Sequence, residues 1–155
     1  MIREARPGEA DLLAGIQRDA SVAALAHIFP PEEYPYPIDD VRQRWEEALA
    51  SPELAVVVDE EGGEPIGCAG YRADWLDGLY VVPGFWDQGL GAVLHDHVLD
   101  RLRERGSPQC HLWVLEENHR ARRFYERRGW HQNGTTRVVP FPPNPIDVGY
   151  TIELG

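Results

Sequence analysis

The chain has 155 residues, with 26 acidic against 15 basic side chains and a formal net charge of −11. That length suits a single domain that folds without disulfide or metal staples, and no run approaches the ~20 apolar residues of a membrane span. The acidity argues against non-specific nucleic-acid binding, in which Lys and Arg must neutralise phosphates.

Taken in chain order, residues 2–6 read as a strand at the very start, so a cytoplasmic protein with no secretory leader is expected. Pro7-Gly8-Glu9 opens a first helix, with the proline at an early helical position and Leu12, Leu13, Ile16, Ala20 and Ala23 on one face. Pro30, Pro31, Pro35 and Pro37, interleaved with Tyr34 and Tyr36, make a loop that can be neither helix nor central strand. Asp39 or Asp40 can cap a second helix that turns Val41, Trp45, Ala48 and Leu49 inward and stops at Ser51-Pro52. Residues 54–58 and 65–71, joined through Glu60-Glu61-Gly62-Gly63-Glu64, read as a hairpin.

Asp74 to Gly78 lead into a first informative block, residues 79–94. A buried strand stops at Pro83, the chain turns through Gly89-x-Gly91, and a helix restarts with Leu90, Val93, Leu94, Val98, Leu99 and Leu102 on its apolar face. Such a turn is an anion cradle, because paired glycines admit close backbone approach while the helix's free N–H groups and positive dipole end point at the same place. Gly106 closes that helix and a strand follows over 110–115. Strand, helix and strand form a right-handed crossover between parallel strands, whose carboxyl ends are where ligands sit in open sheets. In a second block, residues 112–130, Asn118 caps a helix that Gly129 ends. Two further strands, 130–139 and 146–153, flank the proline-rich loop 140–145. There is no repeat or linker, so residues 1–155 are expected to form one domain.

All the basic residues are Arg, which removes lysine as a catalytic base. Cys68 and Cys110 each lie in an apolar strand-like run and read as buried, reduced thiols. His95 and His97 are two apart on a helix and face different ways, and no other histidines show ligand spacing, so no metal site is expected. No Gly-x-x-x-x-Gly-Lys-Ser/Thr loop is present, Gly89-x-Gly91-x-x-Leu94 lacks the third glycine of a dinucleotide fold, and no serine sits in a nucleophile elbow.

Together the two blocks resemble the GCN5-related N-acetyltransferase (GNAT) superfamily, marked by an Arg/Gln-x-x-Gly-x-Gly/Ala loop and then an Asn-x-x-Ala-x-x-x-Tyr helix. Asn118, Ala121, Phe124, Tyr125 and Gly129 match the second pattern throughout. The first departs from it: Trp86 occupies the Arg/Gln position and Asp87 follows. A carboxylate beside a diphosphate would repel it, so Asp87 is expected to offer its backbone N–H and turn its side chain to solvent. The resemblance implies an α/β (α+β) fold with a mixed, twisted sheet of six to seven strands, about four helices and splayed parallel central strands. It also implies an acetyl-CoA-dependent N-acetyltransferase that moves the acetyl group directly to a primary amine, with no metal.

By the same resemblance, the backbone of Leu79, Tyr80 and Val81 would pair with pantetheine. Asp87, Gln88, Gly89, Leu90, Gly91 and Ala92 would hold the diphosphate, and Asn118 would bond the pantetheine arm. Tyr125 would be the catalytic acid, since a phenol near pKa 10 stays protonated at neutral pH and can donate to a departing thiol of pKa about 8.5. A core aromatic at helical spacing is the competing explanation for Tyr125. Relatives that carry a basic Glu on either central strand are met here by Trp113 and Trp75, leaving Asp74, Asp77, Glu116 and Glu117 as candidates, directly or through water. An amine of pKa about 10.4 is neutral in only about one part in 10³ at pH 7, whereas an α-amine near 8 is neutral in about one in ten and hardly needs a strong base.

Arg120, Arg122, Arg123, Arg127 and Arg128 form the one basic patch, read first as a solvated helix face pairing with Glu116, Glu117 and Glu126, with the 3′-phosphate of coenzyme A as the alternative. Tyr34, Tyr36 and Phe141 are expected as walls of the site for a small-molecule or peptide amine. Exposed late strands offer a route to a homodimer. The rival function is a non-catalytic acyl-CoA-binding or regulatory module, which Trp86 and Asp87 favour and Tyr125 opposes.

Overall fold

A computed structural model describes residues 1–155. Its strands are β1 (Ile2–Glu4), β2 (Ala55–Glu61), β3 (Glu64–Arg72), β4 (Trp75–Val81), β5 (Gln109–Leu115), β6 (His131–Val138) and β7 (Ile146–Glu153). The helices are α1 (Ala10–Leu25), α2 (Ile38–Ala50), α3 (Leu90–Glu104) and α4 (His119–Arg127). One mixed seven-stranded sheet runs in the order β1-β2-β3-β4-β5-β7-β6. Strand alternation divides its apolar side chains between two layers. Val56, Val58 and Cys68 pack under α1 and α2, while Val57, Ala69, Leu112 and Val114 pack under α3 and α4.

The break in the middle of the sheet is what positions the site. β4 and β5 are parallel neighbours paired at a single register, Trp75 with His111, whereas β5 pairs with β7 along its whole length. Beyond that one contact the two strands diverge, leaving the ends of β4 and β5 open toward each other. β3 and β4 shift register between Gly70 and Tyr71, so that Gly70 opposes Gly78 and Tyr71 opposes Leu76, with Asp77 as the extra residue of a β-bulge.

Several local expectations are corrected. Pro7 lies outside α1, which begins after Glu9. Asp39 and Asp40 sit in the first turn of α2, not at its cap, where acidic side chains still suit the positive end of the helix dipole. Ala23 and Val93 are exposed, and His95 takes an inward position on α3. Gly91 is already helical, so the turn rests on Gly89 and Asp87. Residues 75–78 belong to β4 itself. Both cysteines are free and buried, and burial pushes the Cys110 thiol up to about 12. β6 is exposed along its length and pairs only with β7.

Candidate active site

The chain leaves β4 at Val81, makes a short 3-10 turn over Pro83–Phe85, and enters α3 through two left-handed residues, Asp87 (φ 63°) and Gly89 (φ 80°). Glycine meets this requirement freely, and aspartate is among the few other residues that tolerate it. The first α3 bond runs from Val93 N–H to the Gly89 carbonyl, so the N–H groups of Leu90, Gly91 and Ala92 have no partner within the helix. Gly91 is small for a different reason. A Cβ there would come within 3.2 Å of the Phe124 ring, so its absence lets α4 close onto the loop.

A cavity of about 440 Å³ opens at this point, between the ends of β4, the α3 entry, α4 and the second half of α1. Leu79, Tyr80, Val81, Asp87, Gly89, Leu90, Gly91, Ala92, Asn118 and Tyr125 all line it. Gln88 does not, and its side-chain amide donates back to the Gly84 carbonyl at 3.3 Å. Val82 N–H bonds the Ile66 carbonyl, so the antiparallel alternation turns the Tyr80 backbone toward β3 and the Leu79 and Val81 backbones toward the open side. The Val81 carbonyl is itself capped by the Trp86 indole N–H at 2.7 Å. Of the three expected strand residues, Leu79 therefore offers a free N–H and C=O, Val81 offers only its N–H, and the Tyr80 backbone is committed to β3.

Asn118 accepts the Ala121 N–H through Oδ1 at 3.3 Å and so caps α4. Tyr125 lies on the inner face of α4 against Phe124 and Trp130, with ring centroids 5.2 and 5.6 Å away. Burial raises its pKa above the ordinary phenol value, and no neighbouring hydrogen bond contributes. A hydroxyl in this setting stays protonated through neutral pH.

The arginines of α4 do not form the expected pairs with Glu116, Glu117 and Glu126. Arg122 turns away, donating to the Tyr150 hydroxyl at 2.9 Å and the Glu116 carbonyl at 2.8 Å. Arg120, Arg123, Arg127 and Arg128 instead line the cavity. Arg128 stacks on Phe124 (3.8 Å to the centroid), and Arg120 stacks on Trp86 (4.2 Å) while reaching Asp87 at 3.3 Å. The Asp87 side chain is 84% exposed, but it stays at the cavity's edge, held by Arg120. Four arginines and a single carboxylate, Asp87, thus line the cavity of an acidic chain.

Among the candidate bases, Asp77 sits on the β4 bulge beside the splay. Burial raises its pKa, opposed by Arg72, whose Nε donates to it at 3.0 Å. Asp74 lies 3.5 Å from His111, and Glu116 and Glu117 are exposed. Trp75 and Trp113 stack across β4 and β5 with centroids 6.3 Å apart. None of Tyr34, Tyr36 and Phe141 lines the cavity. Phe29 joins Tyr34 (6.2 Å) to Phe141 (6.0 Å), so their two loops do meet, but Tyr36 packs against the α1–α2 core with its hydroxyl buried. The contribution of α1, through Ala20, Ser21, Ala24 and Leu25, had no signal beyond a run of small residues.

The sequence model of the Acetyltransferase (GNAT) family matches residues 21–130, which contain both the glycine loop and the Asn118–Tyr125 helix. The chain belongs to the GNAT family. By kinship the protein is an N-acetyltransferase: it is 32% identical over 106 residues to an uncharacterized N-acetyltransferase of Archaeoglobus fulgidus, covering 61% of this chain and 72% of that one. It is 35% identical over 117 residues to a mycothiol acetyltransferase of Beutenbergia cavernae, covering 69% of this chain but only 38% of that protein's length. Among solved structures, a GCN5-related N-acetyltransferase from Rhodopseudomonas palustris superposes with a TM-score of 0.83 at 19% identity, covering 99% of this chain and 94% of that one. The PaiA N-acetyltransferase of Thermoplasma acidophilum, solved with coenzyme A, gives 0.78 at 16% identity and 96% coverage of each chain. These structural likenesses show the fold.

Proposed function

We propose that the protein is an acetyl-CoA-dependent N-acetyltransferase that transfers the acetyl group directly to a primary amine. The observation that carries this reading is the convergence, in one cavity, of unpaired amides at the α3 entry, the open edge of β4, Asn118 and the buried Tyr125 hydroxyl. The donor set fits coenzyme A: N–H groups and arginines for phosphates, strand amides for an extended amide-bearing arm, and a protonated phenol where a thiolate would leave. Acetyl-CoA, when bound, would supply the activated acetyl group as a thioester and leave as the free thiol.

The chain's own residues do the rest. Leu79 and the Val81 N–H align the arm along β4, and Asn118 holds it from the α4 side with the amide nitrogen that capping leaves free. Tyr125 keeps a proton on its hydroxyl oxygen for the departing sulfur. Asp77, best placed of the carboxylates, takes the proton that the ammonium must lose before it can attack, directly or through one water. The acceptor enters over the Trp75–Trp113 face, with Tyr34 and Phe141 as outer walls and Tyr36 left as packing.

Thiol release from acetyl-CoA across a panel of α-amines, polyamines and aminoglycosides tests the reading. Release that depends on one class of amine supports it. Tight binding of acetyl-CoA with no release across the panel supports the non-catalytic binding module instead.

A further inference from the structure

The family's loop signature calls for a side-chain donor at position 86, where this chain has an indole with its N–H already committed to the Val81 carbonyl. A cation nevertheless stands over the same loop, contributed by α4. The Arg120 guanidinium lies 4.2 Å above the Trp86 ring and 3.3 Å from Asp87 Oδ1, on the wall of the cavity into which the Leu90, Gly91 and Ala92 amides open. The two departures from the signature therefore form one device: the indole is a platform beneath the guanidinium, and the carboxylate tethers it until an anion arrives. Stacking and a fixed planar fork are what suit arginine to paired phosphate oxygens.

Resting on the cofactor reading above, we propose that Arg120 replaces the missing loop donor as the diphosphate ligand of this chain, with Asp87 as a competing internal anion that it must exchange for the phosphates. Asp87 has no other protein partner and an exposed side chain, so releasing it to water costs little. Arg123 and Arg127 sit further along α4 and are left for other groups of the cofactor.

Calorimetric titration of the full chain with CoASH and with dephospho-CoA, which keeps the diphosphate and lacks the 3′-phosphate, tests the assignment. Arg120→Ala and Arg120→Gln should each weaken both ligands by about 10- to 100-fold and by the same factor, as expected for loss of a charge-assisted contact. The Gln variant keeps an uncharged polar side chain at this position, and an unchanged melting temperature shows that it folds. Asp87→Asn should tighten both ligands about threefold, by removing the competing anion. Unaltered affinity in both Arg120 variants overturns the proposal, and so does a loss confined to CoASH, which would assign Arg120 to the 3′-phosphate. Wild-type protein that binds neither ligand defeats the cofactor reading itself.

Discussion

Asn118 accepts the Ala121 N–H through its side-chain oxygen at 3.3 Å, so a single side chain closes the first turn of α4 with one atom and keeps its amide nitrogen for the cavity. The helix so fixed carries Arg120 on its first turn and Tyr125 on its inner face. Capping and ligand binding separate by substitution. Asn118→Asp keeps an oxygen at the cap and should leave stability within about 0.5 kcal/mol, while losing the amide donor and weakening CoASH. Asn118→Ala should lose about 1 kcal/mol of stability as well. Urea denaturation and calorimetry on the two variants read the difference.

Tyr125→Phe removes one oxygen and preserves the packing against Phe124 and Trp130. The expected result is a kcat lower by roughly 10²-fold, the usual size of a general-acid contribution, with CoASH affinity unchanged. Equal turnover in the variant would return Tyr125 to a purely packing role.

Asp77 acts in its ionised form, and burial raises its pKa above the ordinary aspartate range. Because the base must be deprotonated, kcat/KM should fall as the pH is lowered through that raised pKa. Asp77→Asn should remove this acidic limb and slow amines of pKa near 10 more than α-amines near 8, which are already partly neutral at pH 7. A full pH–rate profile with one amine of each kind checks both statements.

Away from the site, Arg3 grips Glu9 with two hydrogen bonds of 2.8 Å and also reaches Glu60 at 2.8 Å, tying β1 to the start of α1 and to β2. Arg3 holds the Glu9 carboxyl at about 2, against an ordinary value of 4.5. A depressed carboxylate contributes stability that is present above the unfolded pKa and lost as the pH falls through the folded one. Glu9→Gln should therefore destabilise the protein at pH 7 by about 1 to 3 kcal/mol, with the gap to wild type closing between roughly pH 4.5 and 2. Thermal melts across that range are the measurement.

Most of the architecture was legible because local chemistry and the global fold agree. Gly106 and Gly129 follow α3 and α4, Asn118 caps where its residue type says it should, and the β2–β3 turn falls on Gly62-Gly63. What was not legible depends on neighbours distant in sequence. The bulge that sets Asp77 apart is a mismatch between β3 and β4, and neither strand shows it alone. Trp86 counted against a phosphate site until Arg120, 34 positions later, was found resting on it. Helical spacing placed Val93 inward and left His95 unassigned, yet His95 accepts the Trp130 indole N–H at 2.9 Å in the core. Tyr36 had the composition of a binding loop and the position of a core residue.

The central claim is that the α3 entry and the open edge of β4 form a coenzyme A site, and the most direct test is a calorimetric titration of the wild-type protein with CoASH. One-to-one binding is predicted, with the melting temperature rising as free ligand exceeds the dissociation constant, by about 2.7 kcal/mol of added stability at a hundredfold excess. No heat and an unmoved melting temperature at millimolar CoASH would contradict it.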